Sequence, residues 1–172
     1  MILPAVRDPR LVTIRRGGTL TDADHHRLAL WAAACAEHVL PLFEAARPDD
    51  ARPREAIAAA GAWARGELAM MQTRALGGHA MAAARDLEGA PRFAAYAAGQ
   101  AAVVAHVAEH DLGAAAYAVK AAMAAAPVGQ EEEEARRDEC RWQRDLLPDE
   151  VRDLVLDDQR RRNPICWNVF DV

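Results

Sequence analysis

Two histidines and a glutamate raise the chemical question. Residues 105–113 read A-H-V-A-E-H-D-L-G, so His106, Glu109 and His110 stand in the H-x-x-E-H spacing by which one group of zinc peptidases holds its metal. On an unbroken helix His106 and His110 would share a face, close enough to reach one ion, with Glu109 beside them as base. A catalytic zinc of this kind takes a third protein ligand, usually a carboxylate well downstream. After His110 the carboxylates gather at helix starts or alternate with arginine, and no E-x-x-x-E or comparable partner stands out. The peptidases with this spacing are also much larger and built around sheets. The preferred reading is therefore that both histidines sit at a helix interface, bonded to a neighbouring carbonyl or carboxylate. A helical metal- or ligand-binding protein or enzyme using the same face is the alternative.

Other chemistry is sparse. The chain has no serine, no G-x-x-x-x-G-K-[ST] and no G-x-G-x-x-G. Cys35 lies three residues before His38, a spacing that lets the two touch on a helix, but it also lies on an apolar stripe and reads as a buried thiol. His25-His26 falls in a first helical turn and is expected to be exposed. If the second and third helices are neighbours, Trp63, Arg65, His106, His110 and Tyr117 form one candidate binding face. Trp, Tyr and Arg are the types enriched where partners bind tightly, although Trp63 and Tyr117 read equally as ordinary core. No catalytic residue, metal or cofactor is assigned.

These residues need a scaffold, and composition says which kind. Of 172 residues 52% are apolar but only 5% aromatic, and most of the apolar share is alanine, the best helix former. No run reaches the roughly 18 uninterrupted apolar residues of a membrane span, and the N-terminus lacks the apolar core of a signal peptide. A net charge of −5 argues mildly against a nucleic-acid partner, whose phosphates want lysine and arginine. Three widely spaced cysteines suit reduced thiols in a cytoplasm.

Punctuation along the chain sets the elements. Leu11 to Leu20 is the only stretch with strand character, read as an extended arm that lies on the helices or pairs with another chain. Thr21 to Asp24 caps a first helix whose stripe runs Leu28, Trp31, Cys35, Val39, Leu42, with Pro41 expected to kink or split it. A second helix starts at Pro53 and continues to Leu87, with Gly61 and Gly66 marking a tight crossing. A third runs from about Pro91 to Ala126 and carries Gly99, Val103, His106, His110, Gly113 and Tyr117 on one face. Pro127-Val128-Gly129 closes it. Glu131 to Glu134 opens the next helix, and Pro148 a last short one. The tail's Ile165, Trp167, Val169 and Phe170 are expected to fold back out of water.

The residues Asp8 to His25, Trp31 to Glu44, Arg52 to Ile57 with Ala62 to Glu67, Ala105 to His110 with Tyr117 to Ala121, and Leu154 to Phe170 resemble those of a bacterial family of immunity proteins from polymorphic toxin systems. The likeness spans nearly the whole chain. It implies a cytoplasmic, non-enzymatic protein that binds and neutralises a cognate toxin, and it carries over no site residues. The expected molecule is an all-α single domain of five to six helices, with an extended arm (1–20), a helical body (21–162) and an apolar tail (163–172). Neither nucleic acid nor membrane is an expected partner, and homodimerisation through the arm stands as an option.

Overall fold

A computed structural model describes residues 3–127 and 129–171, so Val128 of the expected break and Val172 of the tail lie outside the described residues. Among the described residues seven α-helices follow one another: α1 Asp22–Ala46, α2 Arg52–Ala64, α3 Met70–Ala83, α4 Gly89–Val103, α5 His110–Ala125, α6 Gln130–Asp145 and α7 Asp149–Arg162. The class is all-α as expected, but the five to six helices become seven because each of two long expected helices breaks once.

The first break separates α2 from α3. Gly66 takes a left-handed backbone (φ 76), its N–H bonds the Trp63 carbonyl, and the Glu67 N–H bonds the Ala62 carbonyl, each at 2.9 Å. That pair of bonds is a Schellman close, which satisfies carbonyls the helix leaves open. Gly66 is thus a terminator and not the crossing glycine expected of it. The close crossing is made by Gly77 and Gly99 instead. A Cβ on either would stand 2.8 Å from the other's carbonyl oxygen, so α3 and α4 touch backbone to backbone.

The second break falls at Val104 to Glu109, between α4 and α5, where neither glycine nor proline interrupts the alanine-rich run. The buried carbonyls it leaves open find partners from distant elements. His25 Nε2 donates to Val104 O at 2.7 Å, and Arg162 Nη1 donates to Glu109 O at 2.8 Å. Helix propensity favours continuation here, and tertiary hydrogen bonds override it.

α1 keeps its predicted cap: Thr21 Oγ1 accepts from the Asp24 N–H at 3.1 Å. Pro41 sits inside α1 without splitting it. By length and composition α1 is long and apolar enough to cross a membrane. In the fold it is the central core helix, burying Leu28, Trp31, Cys35, Val39 and Phe43. α4 and α5 lie against it, α2 and α3 flank α4, α6 packs on α5, and α7 meets α1 and α5. The interior is largely alanine; Ala32, Ala36, Ala94, Ala98, Ala115 and Ala118 are fully buried. Small side chains let the helices approach closely, at the expense of the deep apolar interlock that larger residues would provide.

The arm departs from the extended expectation. Among its described residues it forms two 3-10 turns, Pro9–Leu11 and Ile14–Arg16, and the one ladder contact is an isolated parallel bridge between Thr13 and Leu20. The Asp8 carboxylate caps the first turn by accepting from the Arg10 N–H at 2.9 Å, and Pro9 pre-sets its backbone. Leu11 and Leu20 are the buried anchors. At the other end a 3-10 turn, Asn163–Cys166, leads the tail back onto the body. Cys166, Val169 and Phe170 are buried as expected, but Ile165 and Trp167 remain 39% and 44% exposed.

Candidate functional site

The H-x-x-E-H residues straddle the α4–α5 break and diverge. Glu109, 1% exposed, accepts from Arg7 Nε at 2.8 Å and so serves as the arm's anchor. His110, the first residue of α5, donates from Nδ1 to Gln100 Oε1 at 2.7 Å. Burial depresses its pKa to about 4, so the ring is neutral at ordinary pH. His106 lines a surface cleft, and its buried Nδ1 has no hydrogen-bond partner among the described residues. The expectation that His106 shares one helix face with His110 and Tyr117 is therefore corrected: the break sets His106 outside α5, which carries the other two. Among the described residues no three of His, Cys, Asp or Glu converge to hold a metal ion.

A buried ionic network fixes this junction. Arg162 donates through Nε to both oxygens of Asp158 at 2.8 Å and approaches Asp111 Oδ1 at 3.4 Å, besides its bond to Glu109 O. Burial pushes the Asp111 carboxyl up to about 7, with Arg162 opposing. α7 and the arm thereby clamp the start of α5 from two sides.

The cleft, of about 430 Å³, lies between the arm, the start of α1, the end of α2 and the α4–α5 break. It brings Trp63 and His106 together, as the sequence grouped them. It adds Arg7, Arg15, Arg16 and His25, which sequence reasoning left out. His25 was expected to be exposed and is buried, its ring edge-on to Trp63 at 4.8 Å between centroids. The available signal was the nearness in sequence of I-R-R-G-G to the His25-His26 pair, which folding of the arm turns into nearness in space. Burial lowers the pKa of His106, and Arg74, Arg16 and Arg7 lower it further, so the cleft is a positive field within an acidic protein.

The other candidates lie elsewhere. Arg65 pairs with Glu67 at 2.8 Å and borders a shallow α1–α2 groove. Tyr117 belongs to an aromatic group on the α4–α5 side: it stacks on Tyr96 with centroids 5.1 Å apart, lies 6.3 Å from Phe93, and meets Trp167 at 5.1 Å. Lys120 Nζ sits 4.2 Å from the Trp167 ring centroid and 4.7 Å from that of Phe93, and Arg92 lies over Tyr96. Trp167 holds a left-handed backbone, φ 58, which a bulky residue adopts only under constraint. Buried neighbours on both sides of it, Cys166 and Val169, supply that constraint.

The thiols are poorly suited to nucleophilic chemistry. Burial pushes Cys35 well up, Cys140 to about 11 and Cys166 to about 12. His38 turns from Cys35 to stack on Trp142 and bond Glu139 at 2.7 Å.

A family model described as "Imm-5 like putative immunity protein" matches residues 18–150 of the chain. The match takes in Trp63, Arg65, His106, His110 and Tyr117, begins after Arg7, Arg15 and Arg16, and ends before Trp167. No curated protein and no solved structure matches.

Proposed function

The chain belongs to the Imm-5 like putative immunity protein family, and on that premise we propose that it binds a cognate toxin protein and blocks it without catalysing a reaction. The cytoplasm is the proposed compartment, where its three free, buried cysteines stay reduced.

The observation that carries the reading is the aromatic group on α4, α5 and the tail. Phe93, Tyr96 and Tyr117 are half-buried, Trp167 is exposed, and Lys120 and Arg92 lie over their rings. Aromatic rings that are already stacked lose little conformational freedom on docking, and they offer apolar area with cations at the rim. Packing of Cys166 and Val169 sets the backbone of this turn, and the turn holds the Trp167 ring at the surface against Tyr117 and Lys120. The proposed partner face presents apolar groups flanked by carboxylates that meet Lys120 and Arg92.

Co-expression with toxins encoded beside this gene tests the proposal. One of them is expected to be neutralised by the wild-type protein. Trp167→Ala is expected to weaken the complex at least about tenfold, as a hot-spot truncation does, with little change in melting temperature. Survival unimproved for every neighbouring toxin would sink the reading. An unchanged affinity of Trp167→Ala would move the interface elsewhere.

A further inference from the structure

The arginine-lined cleft is not used by the toxin-binding reading, and it carries an inference independent of it. We propose that it binds a small phosphate-bearing ligand, of mononucleotide size, through guanidinium groups of the N-terminal arm and the imidazole of His106.

Four observations converge. The residues lining the cleft include three arginines and two histidines but no carboxylate. Two of the arginines are tied to acids outside it, Arg7 to Glu109 and Arg15 to Asp22 at 2.7 Å. Arg16 has no ion pair or side-chain hydrogen bond among the described residues, and it is exposed and lines the cleft. A guanidinium in such a position matches two phosphate oxygens at once.

His106 Nδ1 is a buried polar atom without a partner. Such atoms are uncommon in folded proteins, and a missing ligand is one of their ordinary explanations. The ring lines the cleft, so a turn of the His106 side chain on ligand entry would bring this N–H to a phosphate oxygen held by Arg16.

The volume of about 430 Å³ far exceeds a bare phosphate ion and falls within the range of small-molecule sites, roughly 300–1,000 Å³. Trp63, Met70 and Val107 line the remaining wall and suit the uncharged portion of an organic phosphate.

The field agrees with an anion. Arg7, Arg16 and Arg74 all disfavour a proton on His106, and His25, which also lines the cleft, spends its Nε2 on the Val104 carbonyl. A bound phosphate would cancel that repulsion and favour protonation of His106.

Calorimetric titration of the full chain with inorganic phosphate, adenosine monophosphate and adenosine tests the proposal. One-to-one saturation is expected with both phosphates, the monophosphate at least about tenfold tighter than inorganic phosphate, and no binding of adenosine. Arg16→Gln is expected to weaken the monophosphate about tenfold or more, the loss of one charge-assisted contact, with the melting temperature unchanged because Arg16 is exposed. By proton-detected titration the His106 ring should take up its proton at higher pH once the monophosphate is bound. The proposal is overturned by absence of saturable binding for both phosphates, by equal affinity for adenosine, or by an Arg16→Gln protein that binds as the wild type does. An Arg16→Gln protein that loses only toxin neutralisation would assign the cleft to the protein interface and overturn it as well.

Discussion

His110 and Arg162 show how much of this molecule rests on single buried polar groups. The folded pKa of His110, about 4, lies below the ordinary 6.5. The unfolded chain therefore binds the proton more readily, and the stabilisation present above pH 6.5 is lost as pH falls towards 4. Between pH 7 and pH 5 the loss from His110 comes to about 2 kcal/mol. Asp111 works in the opposite sense, since its raised pKa makes the native state gain a proton there. Comparing wild type with His110→Gln by urea denaturation at both pH values cancels Asp111: the wild type should lose stability relative to the variant on acidification. Equal pH slopes would contradict the burial of a neutral ring. Arg162→Ala is expected to cost about 3–5 kcal/mol, because Asp111 would lose its cation in the interior and Asp158 would keep only the longer contact to Arg161 at 3.6 Å. None of these partnerships was legible. His110 was noticed for its spacing to His106, whereas the residue it bonds, Gln100, lies one helix earlier and carries no local mark.

At the scale of elements, glycine separates two physical roles that a sequence writes with one letter. Gly66 has open space around its missing Cβ and needs only its left-handed backbone, so Gly66→Ala should cost about 1–2 kcal/mol. Gly99 has an ordinary helical backbone but no room, since its Cβ would press on Gly77 O and overlap Met81. Gly99→Ala should therefore force α3 and α4 apart, at about 1–3 kcal/mol. Thermal unfolding of both proteins separates the roles, because loosening the crossing should also raise amide exchange in α3 and α4, and opening the α2 terminus should not. The reading of Gly66 as a crossing residue went astray because a C-terminal glycine and a packing glycine leave the same trace in a helical pattern. The α1 cap and the start of α2 at the Arg52-Pro53 pair were legible, because a capping hydroxyl and a first-turn proline act on their immediate neighbours.

Across the whole molecule, the two chain ends brace the joint between α4 and α5. Arg7 reaches Glu109 from the arm, Arg162 reaches the same residue's carbonyl from the end of α7, and Asp8, Arg10, Arg161 and Asp157 link arm to α7 at the surface. Deleting residues 1–12 should therefore cost more than the burial of Leu11. It leaves Glu109 unpaired in the interior, an expected loss of at least about 3 kcal/mol by urea denaturation. A loss confined to the small amount due to Leu11 would show that Glu109 finds water or another cation.

The sequence by itself determined the helical class, the α1 cap, the proline start of α2, the acidic start of α6 and the family. The family rests on segments spread along the chain; the others are written in composition or within one turn of chain, where propensity and capping act. The tertiary structure alone decided where the alanine-rich runs break, which glycines make the crossing, and how the candidate residues divide between a cationic cleft holding Trp63 and His106 and an aromatic face holding Tyr117. The reason is energetic. An alanine run favours one long helix by small increments per residue, and a few buried hydrogen bonds from His25, Arg7 and Arg162, separated by scores of residues, outweigh them.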